Sequence, residues 1–473
     1  MIRIHTKLFV SGLLCCICLT SLFAISIKPP GNEWYEFSSE ALLTSREFSH
    51  ELSEQEIEIA DNLIVQLATL GKGDPLYVWF GHTALVITDL RSNRKVMYDY
   101  GIFSFSSGFY KSFIMGRMLY EVWATSAEGR YEEAMQEDRD IRIMTLNLEP
   151  SVKLELVRFL NFNIQTEYQQ YLYHHYDENC STRIRDIIDT AVLGQFKAWA
   201  MNIPSDYTIR QDVMRHTMAS PLIDWLLNFL QNSSIDRKVS LWERMFLPQV
   251  LEKALLDFSY IDSEGNTVPM VSSSEVMYVQ SDPSIRPEVL ESWQSPTAMW
   301  FIGALVISSL IGLLSFAGNR TYTKNVKRMY RIIHGVLNAS LALVFGMCGT
   351  VLLFMMLFTT HNVTYWNENI LIVHPLLLLC AIQSIRGAFG REKAMSAFRR
   401  NMSVMTVLVL LLISVKLLLP EVFLQNNWQI ILTVFPFYLV NSSLLHRLFD
   451  REKRMVKQDR QPHAYDTADL GDI

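Results

Sequence analysis

Five long apolar runs divide the C-terminal third of the chain, at about 299–317, 333–358, 370–385, 404–419 and 430–445. Most approach the ~20 residues that cross a bilayer, where only helices or closed barrels satisfy every backbone polar group. Unbroken apolar sequence without period-two alternation selects helices. The third run is among the shortest and holds His374 and Pro375, which makes it the weakest span. A sixth run, 8–27, follows Arg3 and Lys7. Small residues around Phe23-Ala24-Ile25-Ser26 fit a cleaved signal peptide, and a retained N-terminal anchor is the other reading of 1–27.

The basic residues orient these spans. Arg320, Lys324, Lys327, Arg328 and Arg331 follow the first of the five runs. Arg386, Arg391, Lys393, Arg399 and Arg400 follow the third, and Arg447, Arg451, Lys453 and Arg454 the last. The loops at 359–369 and 420–428 hold no Lys or Arg, and Lys416 is the one exception near that side. Positive charge thus collects at alternate boundaries, as the positive-inside rule requires. Residues 28–296 are expected outside the cytoplasm, followed by a five-helix membrane domain at 297–449 and a cytoplasmic tail at 450–473. The net charge of −6 says little, since the basic clusters sit on the cytoplasmic side, and no nucleic-acid partner is expected.

Of the 6 cysteines, Cys180 alone falls in the exported region. An unpaired thiol in a secretory compartment is exposed to oxidation and mispairing. A chain that keeps one there either buries it as an inert side chain or uses it.

Around it the pattern is α+β. Residues 77–88 read as a strand with Gly81 as a point of close approach, 89–94 as a polar turn and 95–103 as the returning strand. A further strand is expected at 141–148. Helices are expected at 150–165 and 180–193, the second with Ile184, Ile187, Ile188, Ala191 and Val192 as its buried stripe and Gly194 as C-cap. Residues 196–296 read as a mostly helical extension, amphipathic at 223–230 and 239–255, and the Ser- and Pro-rich stretch 272–295 as a linker into the membrane.

Cys180 opens a helix behind Asp177-Glu178-Asn179. A helix N-terminus stabilises a thiolate, and its free N–H groups can hold an oxyanion. Arg183, one turn on, adds positive charge. His82, directly after Gly81, is the best candidate base, since Cys–His pairs recur in nucleophilic catalysis. Asp99 on the paired strand is the first choice to orient it, with Tyr98 and Tyr100 as rivals. Read without context, a cysteine at a helix start is more often inert packing, and a strand histidine usually an ordinary one. Tyr168, Tyr171, Tyr173 and Tyr176 read as packing. Adjacent His174 and His175 point apart on one element and have no ligand spacing, so no metal is expected.

The order of His on a strand, a hairpin, then Asn-Cys at a helix start resembles the circularly permuted papain-like (NlpC/P60-type) fold. More closely, four segments are similar to the Lnb N-terminal periplasmic domain family. They are Phe-Gly-His-Thr-Ala at 80–84, the stretch 98–105 leading to Phe-Ile-Met-Gly-Arg-Met-Leu-Tyr at 113–120, the stretch 173–189 around Asn-Cys-Ser-Thr-Arg, and Phe-Leu-Pro at 246–248. The likeness covers about 55–255. The family pattern favours Asn where Asp99 stands, which weakens the case for a charged orienter, and Ala where Ser181 stands. The resemblance implies a papain-like catalytic domain at 28–195 and a thiol-dependent acyltransferase needing no cofactor. Its partners would be the membrane, a phospholipid acyl donor and a lipoprotein acceptor. Cys180, His82 and Asp99 would be catalytic, and Arg183, Arg117, Asn179 and Tyr100 would bind substrate. A cell-wall Cys peptidase or amidase of the same fold, and a non-catalytic membrane assembly protein, are the alternatives.

Overall fold

The computed structural model describes residues 52–103, 108–282 and 295–444. The N-terminal run, the C-terminal tail, part of the 272–295 linker and the end of the 98–105 motif lie outside them.

The exported part is built on a seven-stranded antiparallel sheet whose strands lie in the order Gln170–Leu172, Leu119–Ser126, Arg94–Ile102, His82–Asp89, Leu63–Leu70, Ile141–Leu146 and Val271–Tyr278. In chain order its first half is α1 (Glu54–Asp61), β1 (Leu63–Leu70), β2 (His82–Asp89), β3 (Arg94–Ile102), α2 (Phe109–Ile114), β4 (Leu119–Ser126) and α3 (Ala127–Gln136). Then come β5 (Ile141–Leu146), α4 (Pro150–Asn163), β6 (Gln170–Leu172) and α5 (Cys180–Ala191). The chain continues through α6 (Gln195–Ala200), α7 (Ile209–Thr217), α8 (Pro221–Leu230), α9 (Leu241–Arg244) and α10 (Pro248–Asp257) to a small hairpin, β7 (Ser259–Ile261) and β8 (Thr267–Pro269), and to β9 (Val271–Tyr278).

Helices cover both faces of the sheet. On one, Leu154, Phe159 and Leu160 of α4 and Ile184, Ile187 and Ile188 of α5 pack on Leu67, Leu85, Ile87, Tyr98 and Tyr100. On the other, Ala127, Tyr131 and Ala134 of α3 pack on Ala68, Leu70, Ala84, Val86 and Met97. Each fully buried isoleucine of α5 contributes roughly 1.5–3 kcal/mol. This two-sided burial explains why β1 and β2 read as nearly continuous apolar runs.

Three expectations change. The strand expected from Tyr77 begins at His82, because Leu76–Val78 form a 3₁₀ turn and Gly81 takes a φ of 78°. Within the supposed linker, Val271–Tyr278 is an edge strand on β5; its Ser-rich, mostly exposed side chains hide a strand held by backbone pairing. The helical extension expected at 196–296 therefore includes three strands, the last of which belongs to the main sheet.

The C-terminal part is helical: α11 (Thr297–Arg320), α12 (Lys324–Phe358), α13 (Asn369–Ile372), α14 (Leu376–Ala388), α15 (Glu392–Leu418) and α16 (Trp428–Asn441). Four segments among the described residues are long and apolar enough to cross a membrane: α11, α12, α13 with α14, and α15. The last expected span, α16, has 14 helical residues with Pro436 inside. The weak third span is interrupted between α13 and α14, where His374 Nδ1 accepts from Leu376 N–H at 3.0 Å.

The exported domain meets the loops that lack Lys and Arg, as residence on one side requires. Asn232 Nδ2 donates to the Asn362 and Tyr365 carbonyls at 3.0 and 2.6 Å, and Gln425 Nε2 to the Gln231 carbonyl at 3.0 Å. Trp225 and Phe229 of α8 join the membrane-domain core. Lys416, the exception to the charge rule, is consumed locally by Glu368 Oε2 at 2.6 Å and the Phe423 and Gln425 carbonyls.

Candidate active site

Cys180 is the first residue of α5. Asn179 is its N-cap. The Asn179 carboxamide oxygen accepts from the Ser181 and Thr182 N–H groups at 2.9 Å, while its amide donates to the His175 and Phe246 carbonyls. Thr182 closes a capping box on the Asn179 N–H. The cap uses two of the N–H groups expected to be free. The Cys180 N–H has no hydrogen-bond partner among the described residues. The thiol itself is half-buried.

His82 is the first residue of β2, at the centre of the sheet. Its Nε2 hydrogen-bonds Asp99 Oδ1 on the neighbouring strand. Its other interaction is with Cys180, which leaves Nδ1 for the thiol. Burial disfavours an imidazolium here, but the Asp99 carboxylate and the Cys180 sulfur outweigh it and raise the His82 pKa to about 10. Asp99 is fully buried. Burial pushes its carboxyl up, and His82 and Arg130 together hold it below its usual value. Arg130, on α3, donates from Nε and a terminal nitrogen to Asp99 Oδ2 at 3.1 and 3.0 Å. Tyr98 and Tyr100 point to the other face, their hydroxyls donating to Asn161 at 2.8 Å and Asn163 at 2.7 Å. Neither orients His82.

Gly101 lies against the start of α5. It bulges β3 against β4 and has a φ of 93°. A Cβ there would stand 3.7 Å from Cys180 Cβ and 3.8 Å from the Tyr171 hydroxyl. That hydroxyl is buried and has no hydrogen-bond partner among the described residues. Leaving it so costs about 1–3 kcal/mol, so a donor held idle beside a nucleophile needs a reason. The Arg183 guanidinium lies 4.4 Å above the Tyr171 ring, with Nε 2.7 Å from Glu178 Oε2.

The expected site residues divide accordingly. Cys180, His82 and Asp99 come together, with Arg183 one turn away. Asn179 is engaged in the cap, Tyr100 lies beneath the site in the core, and Arg117 is exposed between α2 and β4. His174 bonds Asn362 at 2.8 Å and faces Asp177 at 3.0 Å. Arg130, Tyr171 and Gly101 were not expected. The only sequence signal for Arg130 is an arginine on a helix otherwise charged by Glu128, Glu132 and Glu133.

Residues 55–214 match the Lnb N-terminal periplasmic domain and residues 294–448 match the Lnb transmembrane domain. No curated protein and no solved structure gives a match.

Proposed function

Because the chain belongs to the Lnb family, we propose that it is a thiol-dependent N-acyltransferase of the bacterial inner membrane. It would move an acyl chain from a phospholipid, through a Cys180 thioester, to the α-amino group of a lipoprotein diacylglyceryl-cysteine. One observation carries this reading: Cys180, His82 and Asp99 form a connected line in a domain bonded to the outer loops of a membrane domain. A soluble wall peptidase has no use for that attachment. The same line, in the order His, Asp, Cys, supports a circularly permuted papain-like fold.

The Cys180 thiolate attacks the ester carbonyl, and the Cys180 N–H receives the developing oxyanion. The C–O bond breaks as His82 Nδ1 gives its proton to the departing lysophospholipid oxygen. The acceptor amine, with an ordinary pKa of about 7.7–8.0, then attacks the thioester. Its proton passes to His82, the C–S bond breaks, and the amide leaves with the thiolate and imidazolium restored. Asp99 holds His82 in register. Asn179 positions Cys180 through the cap, Tyr100 backs the site, and Arg183 and Arg117 are the cations available to a phosphate head group.

The test is intact mass of the full-length protein in phospholipid nanodiscs. An acyl-sized increment on Cys180 is expected, lost in Cys180→Ser. Added diacylglyceryl-cysteine peptide should discharge it, and an N-acetylated peptide should not. Lipoprotein acylation by Cys180→Ser at the unaltered rate would overturn the proposal. Cleavage of wall peptides without an adduct would favour the peptidase reading.

A further inference from the structure

The aromatic side chains beside Cys180 continue away from it in an unbroken row. Tyr173 and Cys180 pack side by side on the same core cluster. Its ring stacks on Tyr120 at 4.3 Å, Tyr120 meets Phe103 at 5.0 Å, Phe103 stacks on Phe109 at 5.3 Å, and Phe109 meets Phe113 at 5.9 Å. Phe113 then meets His361 at 6.4 Å, in the loop that follows membrane helix α12.

That end is fastened to the membrane domain. The Phe113 carbonyl accepts from His361 Nε2 at 2.9 Å, and the Met115 carbonyl accepts from Thr360 N and Oγ1 at 2.9 and 3.0 Å. Gly116 has a φ of 75°, and a Cβ there would lie 2.8 Å from the His361 nitrogen. The position of α2 at the membrane boundary is therefore built in. Yet α2 leaves Tyr110, Phe113 and Ile114 exposed at 68%, 42% and 54%. Lys111 and Arg117, both exposed, flank that apolar face. Aromatic side chains with adjacent basic residues suit the level of lipid head groups.

We infer that this row is the track by which one lipid acyl chain passes from the outer leaflet to Cys180, with the exposed face of α2 as its mouth. The inference rests on the acyltransferase reading and adds the route. No rung of the row carries a formal charge, so it offers contact to a hydrocarbon chain and little to a peptide. An acyl chain on the track, its tail toward α2, would bring its ester carbonyl to the thiol and its head group to the Arg183 side, while Lys111 and Arg117 meet the head groups of the surrounding leaflet.

The test compares two donors for Cys180 in the full-length protein: a long-chain phospholipid in nanodiscs and a soluble butyryl p-nitrophenyl ester. In Phe113→Ser/Ile114→Ser the ratio of long- to short-chain acylation should fall about tenfold or more. An unchanged ratio overturns the track. A second measurement does not depend on the variant folding. A phospholipid with a diazirine on its acyl chain should label the tryptic peptide 112–117 of the unaltered protein, and labelling confined to the membrane helices would contradict the inference. Absence of any Cys180 adduct from either donor would instead remove the acyltransferase reading.

Discussion

Arg130→Met isolates the counter-charge that keeps Asp99 ionised. Asp99 is fully buried, with His82 on one oxygen and Arg130 on the other. Removing one partner of a fully buried ion pair costs about 3–5 kcal/mol. Arg130 is 26% exposed and also pairs with Glu133, so water reaches its side of the site. A loss of about 1–3 kcal/mol is therefore expected in stability. If about 1 kcal/mol of it is felt at His82, Cys180 acylation slows about fivefold. The pH dependence has a definite sign. A carboxylate with a lowered pKa adds stability above its unfolded value, lost as pH falls through the folded one. Without Arg130 the lowering of Asp99 shrinks, so acid unfolding should begin at higher pH. His82 works oppositely: its raised pKa adds stability fully present below about 6.5 and lost as pH rises through about 10. The assay is a double-mutant cycle with Asp99→Asn, read by thermal unfolding and acylation rate. Asn keeps an acceptor for His82 but has no charge to match, so Arg130→Met should cost less in that background. An equal cost in both backgrounds would show that Arg130 does not act through Asp99.

Two further substitutions probe the floor of the site. Tyr171→Phe removes a buried hydroxyl that bonds nothing among the described residues, so packing alone predicts a neutral or slightly stabilising change. If the hydroxyl serves the oxyanion beside the Cys180 N–H, acylation should instead fall about 10²-fold with melting temperature maintained, and an unchanged rate would rule that role out. Gly101→Ala adds little steric conflict, since 3.7 Å is ordinary contact, but forces Ala to a φ of 93°. A stability loss of about 1–3 kcal/mol is expected, with slower alkylation of Cys180 by iodoacetamide if the bulge relaxes; a neutral result would show that the backbone there is not strained by a side chain.

What the sequence disclosed depended on whether a signal was local. The start of α5 was legible because Asn-Cys-Ser-Thr is itself a cap and the isoleucines behind it share one face. The hairpin of β2 and β3 was legible from its turn, although its first strand was read from Tyr77. The strand β9 was not, because its side chains are exposed and only pairing with β5 defines it. The role of α8 was also hidden: an amphipathic helix looks the same whether its apolar face meets its own domain or, as here, a membrane bundle. The alternating positive charge foretold which loops the exported domain meets, and Lys416 broke the pattern only because Glu368 and two carbonyls lie within its reach.

The site itself was half legible for a geometric reason. Cys180 belongs to a helix on one face of the sheet, whereas Arg130 belongs to α3 on the other, and Asp99 points with Met97 toward α3. A pattern of alternating residues says which side chains share a face, but not which pair communicates around the end of a strand. His82 does so because it is the first residue of β2: Gly81 ends the preceding turn at a positive φ, and Gly101, at the bulge of β3, lies against the start of α5. The preference for Asn at position 99 pointed away from a charged orienter. The cation that makes an aspartate tenable there comes from a helix 31 residues downstream, and no spacing rule connects them. Asp99 and Arg130 are thus best regarded as one unit: either charge alone in that position would be costly, and together they fix the ring that faces the thiol.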